Sequence, residues 1–214
     1  MGLFRRTPRA PETVERPTRL HIGAGQESIP GWINIDNQGH PGVDQVLDVR
    51  QGLPFSGVAS IYAEHFLEHL TLDEGMAFLR ECRRVLADDG VLRLSTPNLD
   101  WVMLTHYRGP AAAEADAQVD CLRLNRAFHA WGHQFLYNRA TLGAAVRSAG
   151  FAGTVFRTYG ESDRPELAGL ERHQTWVDTP ELPHVLIVEA SGRASGAGLD
   201  EKELREFREA LGSR

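Results

Sequence analysis

The sequence has little cysteine and no long apolar run, and both absences exclude classes of protein. Only Cys82 and Cys121 are present, and they do not form a C-x-x-C pair, so neither a disulfide framework nor a zinc knuckle is indicated. Two isolated cysteines fit a reducing cytoplasm. No apolar stretch approaches the roughly 18 residues that a membrane helix needs, and the arginine- and proline-rich start has no apolar signal region. We therefore expect a cytoplasmic protein without a membrane span.

An excess of positive charge is also missing. The 214 residues carry 23 Lys and Arg against 29 Asp and Glu, which gives a formal net charge of -6. Proteins that bind nucleic acid or membrane surfaces usually present a basic face. We therefore expect a small-molecule partner and no nucleic acid, in a chain long enough for one large domain.

Strand-like and helix-like segments alternate along the chain. Strands are predicted at residues 19–22, 32–35, 45–47, 59–63, 91–95, 154–159 and 184–188. Helices are predicted from Thr71 to the Asp88-Asp89-Gly90 turn, at 139–149 and at 201–211. Thr71 and Glu74 have the spacing of a capping box, and Gly90 suits a left-handed turn at the helix end. The alternation predicts an α/β, Rossmann-like, doubly wound and mostly parallel sheet with helices on both faces.

The ends of the chain differ in composition from its centre. Residues 1–18 are rich in proline and charge and are predicted to be a disordered or loosely packed tail, while 19–190 form the folded domain. Residues 191–214 comprise a Gly/Ser/Ala linker and a C-terminal amphipathic helix, whose apolar stripe contains Leu204, Phe207 and Leu211. We expect this stripe to pack on the domain's own surface; a homodimer contact is the alternative.

Glycines and acids follow the first three predicted strands, where ligands bind in parallel α/β sheets. The Gly23-Ala24-Gly25 bend follows the first strand, and Asp36 and Asp48 end the next two. A carboxylate at Asp36 offers two acceptor oxygens to the vicinal hydroxyls of a ribose, and Asp48 could accept from an adenine amine. A dinucleotide is disfavoured, because Ser28 replaces the third glycine of G-x-G-x-x-G and 26–31 is too short for a helix that would hold a pyrophosphate.

Several segments together resemble the class I S-adenosylmethionine-dependent methyltransferases, and more closely their small type 11-like group. They are 20–25, 29–36, 47–55, 61–70, 78–94, 132–137 and 142–151, within a similarity that spans roughly 19–190. The resemblance implies S-adenosylmethionine as cofactor and methyl transfer to a hydroxyl or amine of a small polar acceptor, such as a sugar, glycan precursor or secondary metabolite. A non-catalytic, methyltransferase-like partner or regulatory subunit is the alternative, because His21 stands where many members have an acid and the first crossover is very short.

The resemblance also implies the contacts of the cofactor. The residues concerned follow the first four strands: Gly23, Ala24, Gly25, Asp36, Asp48, Val49, Glu64 and His65. The glycine bend would line the methionine and ribose, and Glu64 and His65 would border the methionine end.

Histidines supply the candidate general bases, since histidine is the side chain most often used for that task. His65 and His133 are our candidates; a cofactor contact for His65 and a structural hydrogen bond for His133 are the alternatives. Residues 65–69 also spell the zinc pattern H-x-x-E-H. No third ligand is evident in the sequence, so we expect no metal.

Overall fold

The structure is a computed structural model that describes residues 18–172, 179, 181–194 and 198–212. Its strands are β1 (Arg19–Ile22), β2 (Ile33–Asp36), β3 (Gln45–Val46), β4 (Val58–Glu64), β5 (Leu86–Pro97), β6 (Gly153–Arg157) and β7 (Val185–Ser191). Its α-helices are α1 (Leu72–Val85), α2 (Leu99–His106), α3 (Glu114–His129), α4 (Arg139–Ser148) and α5 (Glu201–Gly212). Every predicted strand is present, most with ends shifted by a few residues, whereas α2 and α3 were not predicted.

The strands form one sheet in the order β3-β2-β1-β4-β5-β7-β6. The five neighbours β3, β2, β1, β4 and β5 pair in parallel, and β7 runs antiparallel between β5 and β6. The predicted mostly parallel, Rossmann-like fold is therefore confirmed. The chain order reverses at β1 and β4, so the carboxyl ends of these strands frame the crevice in which such sheets bind ligands.

The connections on either side of β2 contain no helix. A parallel crossover normally takes a dozen or more residues, and here residues 23–32 make the first one. Buried Asn34 holds both short connections: its Oδ1 accepts from the Ile29 amide at 2.7 Å, and its Nδ2 donates to Asp44 at 2.9 Å. One amide side chain thus replaces the packing that a crossover helix would supply.

The two faces of the sheet are covered differently. On the first face, Leu20, Ile22 and Ile61 belong to a core that includes the apolar sides of α1 and α4. On the centre of the second face, residues 158–172 lie as a loop against β4 and β5. Arg93 on β5 fastens that loop: its side chain is fully buried and pairs with Glu171 at 2.6 Å and Glu189 at 2.7 Å.

The end of α1 differs from the prediction. The capping box at its start is present, with the Glu74 amide donating to Thr71 Oγ1 at 3.3 Å. The helix ends at Val85, however, and the following residues are extended, so the predicted left-handed turn at Gly90 is wrong. Gly90 is needed for close approach instead, because a Cβ there would lie 2.7 Å from the Val58 carbonyl oxygen.

The C-terminal helix packs on the domain. Phe207 meets the edge of Phe135 with ring centroids 5.7 Å apart, and Leu204 packs against the core, while Leu211 is exposed. The predicted tail at 1–18 lies, except for Thr18, outside the described residues, and so do 195–197 of the predicted linker. In the described ranges, no helix combines the length and apolar character needed to cross a membrane.

Candidate functional site

Two adjoining cavities open at the carboxyl ends of the parallel strands. The larger has a volume of about 950 Å³ and the smaller about 410 Å³. Gly23, His65 and His69 line both. The arrangement offers room for two ligands that meet beside these residues.

The glycine bend and Asp36 form one wall of this crevice. Gly23 and Gly25 adopt left-handed backbone conformations, with φ of 68° and 54°. The Gly25 amide donates to Asp36 Oδ2 at 2.8 Å, and the Gln38 amide donates to Oδ1 at 2.9 Å. Each carboxylate oxygen can accept a further hydrogen bond. Asp36 is therefore fixed in place at the smaller cavity with acceptor capacity to spare, and its ribose contact stays a prediction.

Asp48 and Val49 line the same cavity, but Asp48 already has a strong partner. Its carboxylate accepts from the Arg50 amide at 3.0 Å and from the Arg50 guanidinium at 2.9 Å. These hydrogen bonds lower the pKa of Asp48. An adenine amine would share this carboxylate with Arg50, which weakens the predicted contact relative to that at Asp36.

Glu64 and Arg172 meet at the opposite end of the glycine bend. Glu64 Oε1 accepts from the Arg172 amide at 2.8 Å, and the Arg172 guanidinium pairs with Glu27 at 3.0 Å. All three residues line the larger cavity, as does His21, whose pKa is lowered chiefly by burial. The sequence did not single out Arg172, because the loop that carries it lies more than one hundred residues after Glu64 in the chain.

His65 stands where the two cavities join. Its φ of 46° is unusual for a residue with a side chain, and such strain is common at functional sites. His65 Nδ1 lies 3.0 Å from Glu68 Oε1, and Glu68 Oε2 accepts from Thr96 Oγ1 at 3.0 Å. The Glu68 side chain is fully buried. A buried carboxylate thus orients His65 as it orients the base in many hydrolytic triads.

His133 is brought to the same point from a distant part of the chain. The amides of Gln134 and Phe135 donate to the Glu68 carbonyl oxygen at 2.7 and 3.2 Å. His133 Nδ1 lies 2.8 Å from the Ala127 carbonyl oxygen, which is the structural hydrogen bond considered from the sequence. Glu68, His69 and His133 each place a ligand atom within 4.8 Å of the others. This cluster shares Glu68 and His69 with the H-x-x-E-H pattern but omits His65, so the sequence-based expectation of no metal stays a prediction.

The far wall of the larger cavity comes from α2 and α3, which the sequence patterns did not reveal. Helix α2 contributes Trp101 and His106, and α3 contributes Arg123 and Arg126; Trp131 after α3 and His184 before β7 complete this wall. Burial and the two arginines lower the pKa of His106. Arg123 and Arg126 are three residues apart on α3 and therefore project from one side of the helix.

The architecture is that of the class I S-adenosylmethionine-dependent methyltransferases. The fold is similar to that of the methyltransferase SibL in its apo form, with 14% identity and a TM-score of 0.54 over 86% of this chain, which spans about half (52%) of SibL. It is also similar to an S-adenosylmethionine-dependent methyltransferase from Archaeoglobus fulgidus, with 15% identity and a TM-score of 0.51 over 82% of this chain and 86% of that one. A similar enzyme from Mesorhizobium loti matches with 16% identity and a TM-score of 0.50 over 81% of this chain and 90% of that one. No protein-family model and no curated protein matches the sequence. The type 11-like subgroup stays a prediction.

Proposed function

We propose that the chain is a methyltransferase that uses S-adenosylmethionine to methylate a hydroxyl or amine of a small polar acceptor. The observation that carries this proposal is the joining of two cavities at His65, with Asp36 lining the smaller cavity and the glycine bend running from the smaller cavity at Gly23 along the larger one. In this assignment the cofactor extends from the smaller cavity past Gly23, and the acceptor occupies the larger cavity.

The residues present suit the parts of this cofactor. Asp36 would accept hydrogen bonds from the ribose hydroxyls, Val49 would meet the adenine, and Ala24 would lie along the bend. The methionine end carries an ammonium and a carboxylate, and the neighbouring opposite charges of Glu64 and Arg172 are complementary to both. When bound, S-adenosylmethionine supplies an activated sulfonium methyl.

The chain itself would supply alignment and proton transfer. With Nδ1 donating to Glu68, the Nε2 of His65 is the basic nitrogen, and it would take the proton of an acceptor hydroxyl. His133 is the second candidate base. Holding two reactants in line in a cavity that excludes water contributes much of the rate enhancement in such a transfer.

The larger cavity also supports a proposal about the acceptor. The side chains of Arg123 and Arg126 form neither a hydrogen bond nor an ion pair with another described residue, although the chain has more acids than bases. Paired guanidiniums recognise phosphate and carboxylate groups well. We therefore favour a sugar or metabolite that bears an anionic group. A cytoplasmic location and the absence of a nucleic-acid partner remain predictions.

The experiment that tests the function is release of S-adenosylhomocysteine from S-adenosylmethionine with a panel of acceptors. The panel pairs each sugar or small metabolite with its phosphorylated form. We expect turnover with at least one hydroxyl or amine acceptor, and faster turnover with the phosphorylated member. Tight binding of S-adenosylhomocysteine without transfer to any acceptor would contradict the proposal and favour the non-catalytic alternative.

A further inference from the structure

We propose that Glu68, His69 and His133 bind a divalent transition-metal ion, with zinc as the best fit, inside the larger cavity. The argument for metal binding depends only on this cluster, and the role of the ion in catalysis rests on the proposed methyltransferase function. Two imidazoles and one carboxylate are a ligand set that zinc uses in catalytic sites, where a further position stays open.

The three ligand atoms are close enough to share an ion. All lie within 4.8 Å of one another. Ligand atoms of zinc lie about 2.0–2.2 Å from the metal, so neighbouring ligands are roughly 3–3.5 Å apart. Glu68 is fixed, whereas His69 is exposed and His133 half-buried, so small rotations of the two imidazoles would complete the site.

Hydrogen bonds around the cluster already prepare two of the ligands. A carbonyl oxygen can only accept, so the contact of His133 Nδ1 with Ala127 places the proton on Nδ1 and leaves the lone pair on Nε2. Glu68 is oriented by Thr96 and His65. Metal-binding histidines and carboxylates are usually held by partners of this kind, which fix their orientation and raise their basicity.

The burial of Glu68 is a second argument. Its side chain is fully buried, and in the described part of the chain no arginine or lysine contacts it. The other buried carboxylates of the described residues pair with guanidiniums: Glu171 and Glu189 with Arg93, and Asp120 with Arg108. Buried charges are generally paired or coordinate metals.

The position of the cluster suggests what the ion would do. His69 borders both cavities, and Glu68 and His133 line the larger one. An ion held there by three protein ligands could bind an acceptor hydroxyl, lower its pKa and orient it toward the cofactor. His65 would then receive the proton of a hydroxyl that is already acidified.

The test is calorimetric titration of zinc chloride into the full chain after removal of metals with a chelator. The Cys121→Ser background removes the exposed thiol as a competing ligand. We expect one equivalent of zinc to bind. His133→Ala should abolish stoichiometric binding, Thr96→Val should weaken it by about 10- to 100-fold through misorientation of Glu68, and His129→Ala should retain it, because His129 is exposed and lies outside the cluster.

The proposal is overturned if the metal-free chain takes up no zinc, if His133→Ala binds zinc as the unsubstituted chain does, or if His129→Ala loses it equally. Circular dichroism of each variant confirms folding. S-adenosylhomocysteine binding, titrated separately, distinguishes the two proposals. Zinc uptake without S-adenosylhomocysteine binding would refute the proposed function but support the metal site. S-adenosylhomocysteine binding without zinc uptake would refute the metal site alone.

Discussion

Replacement of Asp36 by asparagine tests the cofactor pocket at its most specific contact. Asp36 holds the Gly25 amide with Oδ2 and the Gln38 amide with Oδ1, so both oxygens are fixed toward the smaller cavity. Asparagine keeps the size of the side chain but replaces one acceptor oxygen by an NH2 donor. That donor would face a backbone N–H and, when the cofactor is bound, a ribose hydroxyl that needs an acceptor.

The expected loss of affinity follows from the two ribose hydrogen bonds. Asparagine removes one hydrogen bond to a charged group, which contributes about 1.5–3 kcal/mol, and it places a donor against a donor, which costs about 1–3 kcal/mol more, so the total is roughly 3 kcal/mol, or at least about 100-fold in Kd. At a ligand concentration of about 100 times the original Kd, the stabilisation by S-adenosylhomocysteine would fall from about 2.7 to about 0.4 kcal/mol. For a domain of this size, the ligand-induced shift in Tm would fall from roughly 5–11 °C to roughly 1–2 °C.

Thermal unfolding with and without S-adenosylhomocysteine measures this change. Asp44→Asn is the matched control, because Asp44 also accepts from a backbone amide, that of Asn34 at 2.8 Å, but lines neither cavity. Asp44→Asn should keep the full ligand-induced shift in Tm, even if the substitution changes the Tm of the chain without ligand. The reasoning is refuted if Asp36→Asn retains the original shift, or if Asp44→Asn loses it to the same degree.

Three further predictions concern catalysis, stability and pH. His65→Asn removes the proposed base, and asparagine tolerates the positive φ of this position. It should lower kcat by about 100-fold or more, while the affinity for S-adenosylhomocysteine changes by no more than about tenfold. A kcat equal to that of the unsubstituted chain would exclude His65 as the base. Arg93→Ala leaves two buried carboxylates without their partner and should lower the free energy of unfolding, measured in urea, by about 3–5 kcal/mol. The control Arg208→Ala removes an exposed arginine and should lower it by less than about 1 kcal/mol. Similar losses in the two variants would refute the special role of Arg93. Because burial lowers the pKa of His21 below its ordinary 6.5, the unfolded chain binds a proton that the folded chain does not, so stability is complete above about pH 6.5 and declines below it. His21→Phe, which keeps the ring stack on Tyr62, should flatten this acid decline in Tm, and an unchanged slope would assign it to other groups.

Much of the cofactor side was predictable because it is local in sequence. Asp36 and Glu64 end their strands, the glycine bend and Asp48 follow theirs within two residues, and parallel strands bring their carboxyl ends to one edge of the sheet. The parallel neighbours β3, β2, β1 and β4 therefore assemble these residues at one edge.

The acceptor side was not predictable by the same argument. Helix α3 leaves Val119 and Leu122 exposed, so its sequence lacks the clear apolar stripe that marks a packed helix. The contact of His133 with the segment of Glu68 depends on backbone hydrogen bonds between residues far apart in the chain. The end of α1 was misread for a related reason: Gly90 suggested a left-handed cap, whereas the close approach of the Val58 carbonyl oxygen is a tertiary contact that no local pattern reveals.

Calorimetric titration of S-adenosylhomocysteine into the full, folded chain tests the central claim most directly. We expect saturable one-site binding that Asp36→Asn weakens by at least about 100-fold. A flat titration, recorded on protein whose circular dichroism shows the native α/β fold, would contradict the assignment of the crevice to this cofactor and with it the proposed methyl transfer.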